Sequence, residues 1–259
     1  MREESRIAMQ GRVLFALIMR EMTTRYGRNA GGYVWAVLEP AGTLAMLSIV
    51  FSAIARKPAL GDNFPIFFAT GYMAFHFYMD ISRAVSTSVT ANRALLTFPR
   101  VTIMDTIIAR FLLQVITLCF VTFVIFALLL TIFDDQIAID FRYIFLSIGL
   151  AAFLGLSVGV LNSVLFTWSP TWQTTFGIIN RPLFLISGVF FTLEDMPRAI
   201  QELLWWNPLT HVTAIMREGF YPIYQPNWIS VPYVLFFSTV PFLVGVLLMR
   251  ALQAKMLEQ

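Results

Sequence analysis

The chain has 259 residues, of which 58% are hydrophobic and only 13% charged, and its mean hydropathy is +0.73. A soluble domain of this size cannot bury so much apolar surface, and no polar stretch is long enough for a separate catalytic domain. The net charge of +3 is small, and the uneven spread of basic residues across a membrane accounts for it without a nucleic-acid partner. The reading is an integral, polytopic membrane protein.

The first 28 residues hold six arginines, and no short apolar core with a small-residue cleavage site follows, so a signal peptide is not expected. Val13, Leu14, Leu17, Ile18 and Met22 recur at helical spacing among Arg12, Arg20 and Arg25, the pattern of a helix lying in the headgroup plane. That pattern fits a membrane anchor and a docking surface for a cytoplasmic partner equally well. Gly27, Gly31 and Gly32 then turn the chain into the first span.

Six spans are expected at 34–55, 64–82, 109–133, 143–168, 174–193 and 231–250. No charge occurs between Tyr143 and Asn180. That run is too long for one helix, and Ser169-Pro170 breaks it. With a cytoplasmic N-terminus, twelve basic residues fall inside and five outside, namely Arg56, Lys57, Arg142, Arg198 and Arg217. This bias places both termini in the cytoplasm. Three regions result: a cytoplasmic N-terminus over 1–33, a membrane domain over 34–250 and a tail over 251–259.

Two connections carry more than linkage. The inner loop 92–104 presents Leu95, Leu96 and Phe98 beside Arg93 and Arg100, and apolar residues there suit a partner's groove. The outer connection 194–220 reads as two short helices. Met196, Ile200, Leu203 and Leu204 share one face of the first, and Trp205-Trp206 follow. Asn207-Pro208 cap and open the second. The fold class is therefore all-α: six transmembrane helices, an N-terminal interfacial helix and two short outer helices.

Chemistry-bearing patterns are sparse. Only Lys57 and Lys255 are lysines, and neither follows a phosphate-binding glycine spacing. His76 and His211 lie far apart, and no zinc spacing is present. Cys119 has no second cysteine to pair with and reads as an apolar filler. No acid-rich relay crosses the bilayer. Arg181, just before Pro182, is the conspicuous intramembrane charge; it either snorkels to the headgroups or contacts an anion. ATP-driven movement would need its nucleotide site on another chain.

Three stretches carry a family resemblance: Arg20 to Tyr26 with Gly32 to Pro40, Asn92 to Arg100 with Phe98-Pro99-Arg100, and Trp206 to His211 with Arg217-Glu218. In this order they resemble the opening, coupling and outer re-entrant motifs of type-two ABC exporter permeases. Glu39-Pro40, Asp105 to Arg110 and Arg181-Pro182 are similar to the capsular polysaccharide export subgroup of Gram-negative bacteria. The resemblance covers nearly the whole chain. It implies a homodimer in the inner membrane, two copies of a separate ATPase holding ATP and magnesium, a periplasmic adaptor and an outer-membrane channel. It also implies a lipid-linked acidic glycan as cargo.

The resemblance implies ATPase coupling through Arg20, Glu21, Arg25, Asn92, Leu95, Leu96, Phe98, Pro99 and Arg100. It implies an outer gate at Trp205, Trp206, Asn207, Pro208, His211 and Arg217. Sugar stacking along a conduit points to Tyr26, Tyr33, Trp35, Phe51, Tyr72, Phe75 and Tyr78, with Arg83 and Arg181 for anionic groups. Two other readings remain. One is the same fold exporting O-antigen, teichoic acid, lipid or drug. The other is a secondary transporter, against which the lack of intramembrane acids and of an internal repeat counts.

Overall fold

A computed structural model describes residues 6–26, 31–96, 101–133 and 138–258. Ten α-helices occur among them: α1 (Arg6–Tyr26), α2 (Gly32–Ile54), α3 (Phe64–Ser86), α4 (Ser88–Ala91) and α5 (Ile103–Phe133), then α6 (Phe141–Trp168), α7 (Pro170–Leu185), α8 (Arg198–Trp205), α9 (Pro208–Phe220) and α10 (Val231–Glu258).

Four helices are long and apolar enough to cross a bilayer: α2 from Val34, α5, α6, and α10 as far as Leu252. Their outward faces are apolar, with Met46, Phe123, Phe145 and Phe236 each well exposed. That is the burial pattern of helices that meet lipid. α3 differs. Of its 23 residues 17 are buried, and Thr70, His76, Asp80 and Ser82 interrupt its apolar run. A helix sheltered by protein need not be uniformly apolar.

α7 corrects the sequence expectation. The span expected at 174–193 is a helix of only 16 residues that ends at Leu185. Beyond it, Gly188 adopts φ +73°, a left-handed conformation that a side chain disfavours. The chain then runs as irregular backbone until a 3-10 turn at Leu193–Asp195.

α6 is the hub, with α3, α10 and α9 packed on it. Glycines make the closest approaches. Gly155 and Gly159, one turn apart, face α3. A Cβ on Gly159 would sit 2.6 Å from the Val85 Cβ, and one on Gly155 would sit 2.8 Å from the Tyr78 carbonyl oxygen. Gly245 of α10 meets the Leu161 backbone, where an added Cβ would lie 2.7 Å from its nitrogen. Small residues that let backbones touch replace the hydrophobic driving force that lipid removes.

α5 starts earlier than the expected residue 109. Thr102 donates its hydroxyl to Asp105 at 2.7 Å, and the Asp105 amide donates back to the Thr102 hydroxyl at 3.2 Å. This reciprocal box satisfies donors at the helix start and carries the helix to Ile103.

Candidate functional site

At one end of the bundle, α1 is braced against α4 and α5. Arg110 Nε donates to Glu21 Oε1 at 3.0 Å, and Asn92 Nδ2 donates to the same oxygen at 2.7 Å. Arg20 Nη1 donates to Asn92 Oδ1 at 2.9 Å. Arg110 Nη1 also reaches the Thr87 hydroxyl at 3.1 Å. Glu21 and Asn92 are buried. Their positions 71 residues apart in sequence become one polar junction between the N-terminal helix and the loop after α3.

The expectation that Leu95 and Leu96 stand exposed for a partner is corrected here. Leu96 is buried within the core and Leu95 is half-buried. The turn that holds Leu96, with its amide donating to the Asn92 carbonyl, folds it back onto the bundle. Phe98, Pro99 and Arg100, and the side chains of Arg25, Tyr26 and Tyr33, lie outside the described residues.

In the middle of the bundle, the expected path aromatics come together but do not form an open lining. Tyr72, Phe75 and Tyr78 are buried, and Phe51 is half-buried. Phe184 contacts Tyr72 edge-on at 6.1 Å and Phe75 at 5.1 Å, and Phe190 stacks on Phe51 at 5.6 Å. These rings glue α2 and α3 to α7 and the segment after it. Trp35 stands apart, 68% exposed on α2.

The open face of α3 is polar instead. The sequence reading missed His76 Nε2, which lies 3.4 Å from Asp80 Oδ2, one helical turn on. The i,i+4 spacing was the available signal. His76 stacks on Tyr72 at 5.2 Å. Gln114 Nε2 of α5 donates to Asp80 Oδ2 at 3.3 Å. Arg83 continues this face toward the α1 junction and is exposed. Across from it, Tyr78 donates to Asn180 of α7 at 3.4 Å, and Arg181, the next residue, is exposed.

At the opposite end, α9 and its cap carry the polar groups that answer the backbone following α7. Arg217 is 1% exposed. Its Nη1 donates to the Phe191 carbonyl at 2.7 Å and its Nη2 to the Val189 carbonyl at 3.0 Å. The guanidinium also sits 4.2 Å over the Phe67 ring. Asn207 donates to the Ile186 carbonyl at 3.0 Å, and the Thr213 hydroxyl to the Ser187 carbonyl at 2.9 Å. Four carbonyls of the non-helical segment are thus answered by α9 and its cap. Irregular backbone at membrane depth is tolerated under that condition. Burial lowers the Arg217 guanidinium to about 10, which leaves it charged at neutral pH.

The other expected gate residues gather here. Asn207 caps α9 by accepting from the Leu209 amide at 3.1 Å, and Pro208 opens the helix. His211 accepts from the Ser230 amide at Nδ1 and lies 2.9 Å from the Trp205 carbonyl through Nε2. That pairing makes Nε2 the protonated nitrogen of a neutral ring. Burial lowers its pKa, with the Trp205 carbonyl opposing. Trp205, His211, Trp228 and Tyr233 pack ring against ring, with Trp205 5.0 Å from Tyr233 and His211 5.2 Å from Trp228. Trp206 is 65% exposed. Glu194 ties the last connection down by accepting from Trp228 Nε1 at 2.7 Å and the Tyr224 hydroxyl at 3.2 Å.

Comparison with known proteins matches residues 12–221 to the ABC-2 type transporter family. The chain is 32% identical over 244 residues to the polysialic acid transport protein KpsM of Escherichia coli, covering 93% of this chain and 94% of that one. It is 30% identical over 216 residues to the capsule polysaccharide export inner-membrane protein CtrC of Neisseria meningitidis serogroup B, covering 83% and 81%. The inner-membrane capsule export protein BexB of Haemophilus influenzae is 27% identical over 244 residues, with 94% and 92% covered.

Proposed function

This chain belongs to the ABC-2 type transporter family, and we propose that it is the permease subunit of an ATP-driven exporter that carries capsular polysaccharide across the inner membrane. The observation that carries this reading is the similarity, over most of the chain, to one relative named for polysialic acid transport and two named for capsule polysaccharide export. The finer features are part of the same proposal. The cargo is a lipid-linked acidic glycan. Two copies of the chain assemble with two copies of a cytoplasmic ATPase that holds ATP and magnesium. A periplasmic adaptor and an outer-membrane channel take the glycan onward. Both termini are cytoplasmic, and α3, sheltered by protein, and the shorter, largely exposed α7 complete six crossings.

The geometry supports a division of labour. The Glu21–Asn92–Arg110 junction ties the interfacial helix to the inner loops, so force from an ATPase at that end would reach α3 and α5 directly. Arg83 of α3 and Arg181 of α7 are both exposed, two cations suited to phosphate or carboxylate groups. The outer end is pinned by Arg217 and would shelter the exit.

Deleting the chain tests the proposal. Cells without it should accumulate glycan inside and show none on the surface, and a plasmid copy should restore the capsule. Normal surface glycan in the deletion strain would reject the reading. The chain purified alone should show no ATPase above a mock preparation, and turnover should appear only with the partner subunit.

A further inference from the structure

The open face of α3 is costly unless something polar meets it. His76 and Asp80 keep 16% and 26% of their side-chain surface accessible, while most of the helix around them is buried. Arg83 follows on the same face and is exposed. Charged groups within a spanning helix are expensive against hydrocarbon and face a bundle interior or an aqueous cavity. The pair joins α3 to α5 through Gln114. Its protein contacts, His76 Nε2 and Gln114 Nε2, both converge on Asp80 Oδ2. Among the described residues, Oδ1 keeps no hydrogen-bond partner.

We propose that Asp80, oriented by His76 and Gln114, is a sugar-binding residue on the wall of the conduit, accepting a hydroxyl of the moving glycan at Oδ1 while Arg83 meets an anionic group on the same chain. A carboxylate is the natural acceptor for sugar hydroxyls, and the aromatic Tyr72–His76 stack fixes where it points. A single accepting oxygen beside an exposed cation grips each sugar weakly, which suits a polymer that must keep sliding. This assignment rests on the exporter reading and adds to it a point of contact.

The test uses the intact exporter in the bacterium that carries it. A photo-crosslinking side chain replaces Met79, half-buried next to Asp80, or Phe123, 72% exposed on α5. Cells are fed labelled sugar and irradiated. Labelled adduct should form at position 79 and not at 123. Asp80→Asn and His76→Gln should each lower surface glycan about tenfold, the scale of one charge-assisted hydrogen bond, with the adduct at 79 falling in parallel. Asp80→Glu should recover part of the loss. Export by Asp80→Asn within about twofold of the parent, or equal labelling at both positions, overturns the assignment. If Asp80→Asn fails to accumulate in the membrane, the crosslink in the unsubstituted background decides, and no label at 79 overturns it. Loss of the chain without loss of surface glycan would sink the exporter reading itself, a result distinct from either.

Discussion

Replacing Arg217 with alanine should release the segment that follows α7. The side chain is fully buried and gives two hydrogen bonds to carbonyls at Val189 and Phe191. Each orphaned carbonyl costs about 1–3 kcal/mol, and the vacated volume adds about 2 kcal/mol. Alanine also removes a desolvated charge. The fall of the guanidinium to about 10 corresponds to a relief of about 3 kcal/mol. The balance is a loss near 3 kcal/mol, felt mainly over residues 186–196. Arg217→Met keeps much of the packing and should lose only about 1 kcal/mol. Hydrogen exchange on the detergent-solubilised protein reads this directly. Amides over 186–196 should exchange about a hundredfold faster in Arg217→Ala, while those of α6 hold. Unchanged protection over 186–196 in the alanine variant would refute the account of how this backbone is satisfied.

Four further outcomes are expected. Gly159→Leu should destabilise by at least about 1–3 kcal/mol in thermal unfolding, because even the first carbon of an added side chain would lie 2.6 Å from the Val85 Cβ. Gly149→Ala, with nothing within 4 Å, should be neutral or slightly stabilising. Glu21→Ala should strip Arg110 and Asn92 of their shared acceptor at a cost of about 2–3 kcal/mol. It should reduce glycan export at unchanged membrane level, and normal export would remove the junction from the coupling route. A cysteine at Arg198, in a Cys119→Ser background, should label with an impermeant thiol reagent from outside the inner membrane; labelling only from the cytoplasm would invert the topology.

Much of this arrangement is legible in the residues. The first, third, fourth and sixth spans announce themselves by unbroken apolar runs, and Asn207-Pro208 marks the start of α9 by local chemistry alone. The end of α7 was hidden because Ile186, Val189, Phe190 and Phe191 are as apolar as a helix interior. What stops the helix is Gly188 in a left-handed conformation and donors supplied from α9, 28 residues on for Val189. Leu96 looked exposed because a short basic loop gives no hint that its turn folds inward. The start of α5 was available in Thr102 and Asp105, whose spacing forms a capping box. His76 and Asp80 were separately visible, and only their shared face makes them a pair.

The glycine contacts of α6 bear on how the molecule can move. Gly245 meets only the backbone of α6, Gly155 meets the Tyr78 carbonyl, and Gly159 meets the stiff, β-branched Val85, so little slack remains to absorb a shift. α3, α6 and α10 therefore behave as one stiff plate, with α9 fastened to it by the Ser147 hydroxyl on the Val212 carbonyl at 2.8 Å. α2 and α7 lie at its margins, held largely by interlocking rings rather than by touching backbones. On the exporter reading, a stroke delivered at the α1 junction would tilt the plate as a whole, and the gap that widens would be the seam along α2 and α7, where aromatic rings can slide past one another.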